Sequence, residues 1–390
     1  MADPAARGQA RQSARPARSA RPDHPAGGTE VLAVRGVLPP HRYPQHEITD
    51  AFAGVIARGG GLDERVLRRF HRNAGVEHRS LALPLEEYAG LGGFTRANDL
   101  FIEHAVELGS RAVLDALKAA DLTPSDVDLI ICATVTGLAV PTLDARIASN
   151  IGLRPDVKRV PLVGLGCVAG AAGLARLHDY LRGDPGGVAV LVTVELCSLT
   201  VQRDDVSMPN LVASGLFGDG AAAVVARAGG DPGRGGPAAA EVLATRSRLY
   251  PDSERTMGFD VTSGGLRIVL DAQVPAVVGR YIRDDVDAFL ADHGLARADV
   301  EWWVCHPGGP KVIEALQAAL EVPREAVRLT WESLARIGNL SSASVLHVLE
   351  DTLRDRPPRP GSYGMVLAMG PGFCSELVLV RAADAGEAAA

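Results

Sequence analysis

The chain has 390 residues, 47% of them hydrophobic and 22% charged, with a formal net charge of −7. This is ordinary globular composition with enough apolar material for a sizeable core, so neither disulfides nor a structural metal is needed to hold it. The acidic balance argues against a broad nucleic-acid-binding face, and no apolar stretch reaches the ~18 residues of a membrane span.

Residues 1–28 are built largely from Ala, Arg, Pro and Gly, with Arg7, Arg11, Arg15, Arg18 and Arg21. They lack the apolar segment of a secretory signal and are expected to form a disordered extension, as is the tail 383–390. From Thr29 onward strands and helices alternate. A strand is expected at Glu30–Arg35, helices at His46–Arg58 and Glu64–Ala74, and a longer helix at Asn98–Ala120 with Ile102, Val106, Val113 and Leu117 on one side. Asp128–Thr134 reads as a buried strand, Asp144–Ile151 as a helix, and Val160–Leu165 as a strand running through Gly166-Cys167 into a small-residue helix, Val168–Leu181. Val188–Glu195 and Gly220–Ala228 are further strands.

A second round follows the Gly/Pro-rich break at Gly229–Pro237. It has one or two strands at Ala239–Tyr250, a helix at Val274–His293 and a strand at Trp302–Cys305 that ends at His306-Pro307-Gly308-Gly309. Helices at Lys311–Leu320 and Ser341–Arg354 and a closing hairpin around Gly370-Pro371-Gly372 complete it. Nearly continuous apolar strands between helices imply an α/β protein with sheets covered on both faces. The two rounds are similar in length and hint at a duplication, which divides the chain into residues 29–236 and 237–382.

Five cysteines, Cys132, Cys167, Cys197, Cys305 and Cys374, stand far apart with no C-x-x-C. An odd number at such spacing is neither a disulfide framework nor a zinc site, and free thiols point to a reducing cytoplasm. Cys167 stands out, because a strand-to-helix junction places its sulfur near a helix N-terminus, which favours the reactive thiolate. The plain alternative is a buried core cysteine. His306, at a strand's end before Pro and Gly, can act as acid, base or donor, or can be a surface-loop histidine. Cys305 beside it is expected to pack on the other face. Asn339 can donate to a developing oxyanion, or can merely cap the next helix. The order Cys, His, Asn is also that of papain-like proteases, but GLGCVAGAAG does not match their local pattern. No phosphate-binding glycine motif is present.

These segments resemble the type III polyketide synthases, the chalcone synthase superfamily, in its bacterial branch. The matching stretches are Gly166-Cys167-Val168-Ala169-Gly170, Leu216-Phe217-Gly218-Asp219-Gly220-Ala221, His306-Pro307-Gly308-Gly309-Pro310, Gly338-Asn339-Leu340-Ser341-Ser342 and Gly370-Pro371-Gly372. The ketoacyl synthase III group shares the Cys-His-Asn set and is the rival, along with a silent CoA-binding subunit. The resemblance implies a thiolase-like fold of two duplicated α/β halves in αβαβα layers, and a homodimer.

It also implies roles. Cys167 would carry the acyl chain as a thioester, and His306 would keep its sulfur ionised. His306 and Asn339 would hold the thioester oxygen of malonyl-CoA during decarboxylation, and Phe217 would be a gatekeeper. Thr136, Cys197, Thr200, Ser341 and Met369 fall at cavity positions, and Val140 falls where plant relatives send a Met into the partner's cavity. Arg65, Arg68 and Arg72, at spacings of three and four, share a helix face and match the basic positions that meet CoA phosphates, with a solvated charged face as the alternative. Gly308 and Gly309 would adjoin the CoA. No metal or other cofactor is implied, since CoA thioesters are the substrates. No Phe stands at Gly265-Leu266-Arg267, where plant members have a second gatekeeper. The stretch Thr134–Ala145 resembles enzymes that make alkylpyrones and alkylresorcinols, which favours a fatty acyl starter. A malonyl starter giving tetrahydroxynaphthalene is the alternative.

Overall fold

The computed structural model describes residues 28–56, 63–229 and 234–384. Most of the expected N-terminal extension and C-terminal tail therefore lies outside the described residues. The first round contains β1 (Thr29–Val37), β2 (His41–Pro44), α1 (Gln45–Ile56), α2 (Glu64–Asn73), β3 (His78–Leu81), α3 (Phe94–Ala119), β4 (Leu129–Thr134), α4 (Leu143–Ile151), β5 (Lys158–Val163), α5 (Ala169–Leu181), β6 (Val188–Leu196), α6 (Met208–Leu216) and β7 (Asp219–Ala228). The second contains β8 (Ala240–Leu249), β9 (Met257–Thr262), β10 (Gly265–Leu270), α7 (Val274–Ala291), β11 (Val300–Cys305), α8 (Pro310–Leu320), α9 (Arg328–Ile337), α10 (Ser344–Asp355), β12 (Tyr363–Gly370) and β13 (Cys374–Ala382).

Nine strands form one sheet in the order β11-β12-β13-β8-β1-β7-β6-β4-β5. Outward from β1 the first half runs β7, β6, β4, β5, with β5, β4 and β6 parallel and the other pairs antiparallel. Outward from β8 the second half runs β13, β12, β11, with β11 and β12 parallel and the others antiparallel. The two halves thus repeat one topology, the second without a counterpart of β5. They join where Thr29–Val31 pairs with Val242–Ala240.

Burial explains the layering. Every residue of β4, β6 and β7 is buried, as expected of strands covered on both faces. One outer cluster gathers Phe101, Leu108, Val113 and Leu117 of α3 against the first half. Another gathers Val278, Ile282 and Val286 of α7 with Ile313 and Leu316 of α8 against the second half. Between the two half-sheets, Ala171, Leu174 and Ala175 of α5 meet Val345, Leu346 and Leu349 of α10. These are the alternating helix and sheet layers of a thiolase-like fold. No helix among the described residues is long and apolar enough to cross a membrane.

Most expected elements are present within a few residues. Ala240–Leu249 is one strand rather than two, and α3 starts a turn earlier than its periodicity suggested. Helices α6 and α9 and the β9–β10 hairpin were not anticipated, and two of the three help to wall the site.

Candidate active site

The chain leaves β5 and enters a 3-10 turn, Gly166–Val168, that leads directly into α5. Gly166 has φ +54°, and a Cβ there would lie 2.8 Å from Pro371 Cδ. Glycine alone fits that backbone and that contact. Cys167 therefore sits at the head of α5, 6% exposed, where unpaired N–H groups favour negative charge. Its thiol donates to Ser341 Oγ at 3.7 Å.

His306 follows β11 and is tied to β12 by its backbone N–H, which donates to Leu367 O at 2.9 Å. The ring is 4% exposed, and neither Nδ1 nor Nε2 has a hydrogen-bond partner. Two unsatisfied ring nitrogens in a buried place call for a ligand to complete them. Cys305, the preceding residue, is fully buried in the outer cluster of the second half and is a packing residue.

Asn339 lies between α9 and α10. It is not a helix cap, because α10 begins only at Ser344. Its Oδ1 accepts from Ser341 N at 2.8 Å and from Ser344 Oγ at 3.4 Å. That identifies the oxygen and leaves Nδ2 as the donor. The side chain reaches the Cys167 sulfur, where it favours the ionised form. Asn339 N donates to Leu216 O and Asn339 O accepts from Gly218 N, both at 2.9 Å, so its backbone forms a bridge with Phe217.

Cys167, His306 and Asn339 line one small cavity with Phe217, Gly308 and Met369. A second, larger cavity, partly open to solvent, is lined by Cys167, Phe217, Thr136, Cys197, Thr200 and Ser341. Cys167 and Phe217 border both, so the sulfur and the aromatic ring stand where the two spaces meet. Met257, Phe259, Ile268 and Leu270, from the unanticipated hairpin, close the larger space. The second aromatic at the mouth thus comes from β9, not from the Gly265–Arg267 stretch. Val140 lines neither cavity and is 95% exposed. Gly309, with φ +126°, sits beside the smaller cavity at the start of α8.

Burial dominates the electrostatics. It pushes the Cys167 thiol up to about 12, against the pull of the Ser341 and Asn339 donors, and pushes the His306 imidazole down to about 3. Burial thus favours the uncharged form of each group, while the Ser341 and Asn339 donors favour the ionised sulfur.

Sequence reasoning missed Glu195. It is fully buried at the end of β6 and accepts from Ser342 Oγ at 2.5 Å, Thr136 Oγ1 at 2.8 Å and Val135 N at 3.1 Å. Burial raises its pKa. The signal was present, since a carboxylate inside an apolar strand is rare without partners. Glu195 clamps the cavity residue Thr136 to the serine that follows Ser341.

The arginines of α2 lie apart from both cavities. The Arg65 side chain is 97% exposed and Arg72 is exposed. Arg68 is held by Asp50 at 2.6 Å and by Glu64 at 2.5 Å. Exposed pairs of this kind are weak, so a phosphate can displace them.

The N-terminal domain pattern of chalcone and stilbene synthases matches residues 17–232, and the C-terminal domain pattern matches residues 241–384. A 1,3,6,8-tetrahydroxynaphthalene synthase of Streptomyces peucetius subsp. caesius is 55% identical over 354 residues, 91% of this chain and 93% of that protein. A 3,5-dihydroxyphenylacetyl-CoA synthase of Streptomyces toyocaensis is 36% identical over 90% of this chain and 89% of its own. The crystal structure of the 1,3,6,8-tetrahydroxynaphthalene synthase of Streptomyces coelicolor A3(2), a bacterial type III polyketide synthase, superposes with a TM-score of 0.85 at 29% identity, covering 91% of this chain and all of that one.

Proposed function

The chain belongs to the chalcone and stilbene synthases, the type III polyketide synthases, and we propose that within this family it uses malonyl-CoA as both starter and extender to build a tetrahydroxynaphthalene. The observation that carries this reading is the 55% identity, along nearly the whole chain, to a synthase of that product. The fatty acyl starter favoured by the Thr134–Ala145 stretch gains less support.

In this reading the Cys167 thiol passes its proton to His306, and the sulfur attacks the acyl-CoA carbonyl. The C–S bond to CoA breaks, and the departing thiolate takes the proton back. Malonyl-CoA then loses CO₂. The electrons of the broken C–C bond become an enolate whose oxygen accepts from His306 and Asn339 Nδ2, donors that gain most as its charge grows. The enolate carbon attacks the Cys167 thioester and expels the sulfur as thiolate. The lengthened chain, now on CoA, returns to Cys167 for the next round. Phe217, between the two spaces, limits water that would hydrolyse the acyl-enzyme. Arg65, Arg68, Arg72, Gly308 and Gly309 are the proposed CoA contacts. The reading includes a homodimer, and a cytoplasmic setting in keeping with five cysteines that are all free.

Incubation of the purified protein with malonyl-CoA alone tests it. The expected outcome is a naphthol and CO₂ without a carrier protein. Product only when a fatty acyl-CoA is added would reject the starter, and demand for carrier-bound malonate would reject the reaction. Cys167→Ala should keep some decarboxylation and make no product. Asn339→Ala should still load its sulfur while decarboxylating ~10²-fold more slowly.

A further inference from the structure

We propose that Arg79, held by Gln45, is a positioning residue that sets the Phe217–Asn339 unit of the site, and so controls decarboxylation and chain length without touching substrate. The inference rests on the condensing reading above.

Arg79, on β3, is the largest fully buried side chain among the described residues, 1% exposed. Its Nη1 donates to Phe217 O at 2.6 Å, and its Nε donates to Gln45 Oε1 at 3.0 Å. Gln45 in turn donates from Nε2 to Gly215 O at 2.6 Å. The two side chains thus hold carbonyls at the C-terminal end of α6, where a cation is favoured. The other side of this segment is bonded to Asn339 through Leu216 O and Gly218 N. Arg79 also reaches the Asn339 side of the bridge. Gly338, with φ +74°, has room for no Cβ, which would stand 3.1 Å from Arg79 Cγ and 2.9 Å from Leu216 O. The guanidinium therefore fixes the Phe217 half of the bridge directly, and the Arg79 stem packs beside Gly338 on the half that carries the oxyanion donor.

The placement is a poor device for stability. Arg79 Nη2 is buried with no hydrogen-bond partner. Desolvation depresses the group to about 10, and the charge facing it, Asp219, is itself buried. An apolar side chain would generally serve packing at least as well. Neither Arg79 nor Gln45 lines either cavity, so any effect on chemistry must pass through Phe217 and Asn339.

Arg79→Lys keeps the charge but cannot present a planar fork to two acceptors. Gln45→Ala leaves Arg79 in place and removes its brace. Three quantities separate positioning from mere folding: acylation of Cys167 by intact mass, CO₂ released per acylated enzyme, and the ratio of full-length product to prematurely released pyrones. Both variants should load Cys167 to the wild-type extent. Arg79→Lys should release CO₂ ~10-fold or more slowly per acylated site and shift product towards short pyrones, with Gln45→Ala moving the same way by less. An equal fall in all three quantities, or an unchanged product ratio in the variant that folds, overturns the proposal. A wild-type protein that loads but never condenses would instead overturn the functional reading.

Discussion

A buried thiol and a buried imidazole that line one cavity have two forms of equal net charge, and the residues around sulfur 167 decide between them. The head of α5, the Asn339 amide and Ser341 all favour the ionised sulfur, whereas burial favours the neutral pair. His306 supplies the only base among the side chains lining the smaller cavity. Without it the thiol has the upward push of burial and no base to take its proton. A thiol with so high a pKa gains thiolate tenfold for each pH unit between 6 and 9. Alkylation of Cys167 should therefore be nearly flat over that range in the wild type and should climb ~10-fold per unit in His306→Ala. Parallel slopes would show that His306 does not take the proton. The three reacting residues were legible in sequence because each lies at a junction of an apolar strand or helix with small residues. Glu195 showed itself only as a carboxylate inside an apolar strand, and Arg79 looks like one more arginine in a basic stretch that only folding shows to be buried.

At the scale of elements, two of the pieces missed in sequence, α6 and the β9–β10 hairpin, shape the cavity. Helix α6 is short and contains Pro209, Ser214 and Gly215, all weak helix formers, so its helicity comes from packing and from the polar side chains at its end. The β9–β10 strands are only half-buried for most of their length and show no continuous apolar run, although Ser263-Gly264 marked their turn. The core strands were legible because they are apolar throughout. In the hairpin, Phe259 stands opposite Ile268, and both face the larger cavity. Phe259 thus places an aromatic on β9, where Gly265-Leu266-Arg267 of β10 carries none. Phe259→Ala should widen the space beside Cys167. Loading of a medium-chain acyl-CoA should rise ~10-fold in kcat/KM, within the range that a few methylenes command in an apolar pocket, with little loss of stability because the ring is half-exposed. Unchanged starter preference, measured across a panel of acyl-CoAs, would remove Phe259 from the wall that sets substrate size.

For the whole molecule, the two ends of the nine-stranded sheet differ. At one end β11 is covered, with Arg324–Val327 packed against it and Thr330 Oγ1 bonded to Cys305 O at 3.1 Å. At the other end β5 is bare. Five of its six residues are exposed, with Val160 at 37% and Val163 at 55%. The duplication explains the asymmetry, because the second half lacks a β5 of its own. The exposed Val160 and Val163 stand beside Lys158, Arg159 and Pro161, and a second copy about a two-fold axis is the simplest cover for the two valines. The neighbouring Leu138 and Val140, 45% and 95% exposed, would then meet the other copy. Light scattering on the eluted protein should give twice 40.8 kDa. Val160→Lys with Val163→Lys should give single chains. If Val140 completes the partner's cavity, the separated chains should still be acylated at Cys167 but should make shorter products. A wild-type protein that is monomeric and makes full-length product would show that each cavity is complete within one chain.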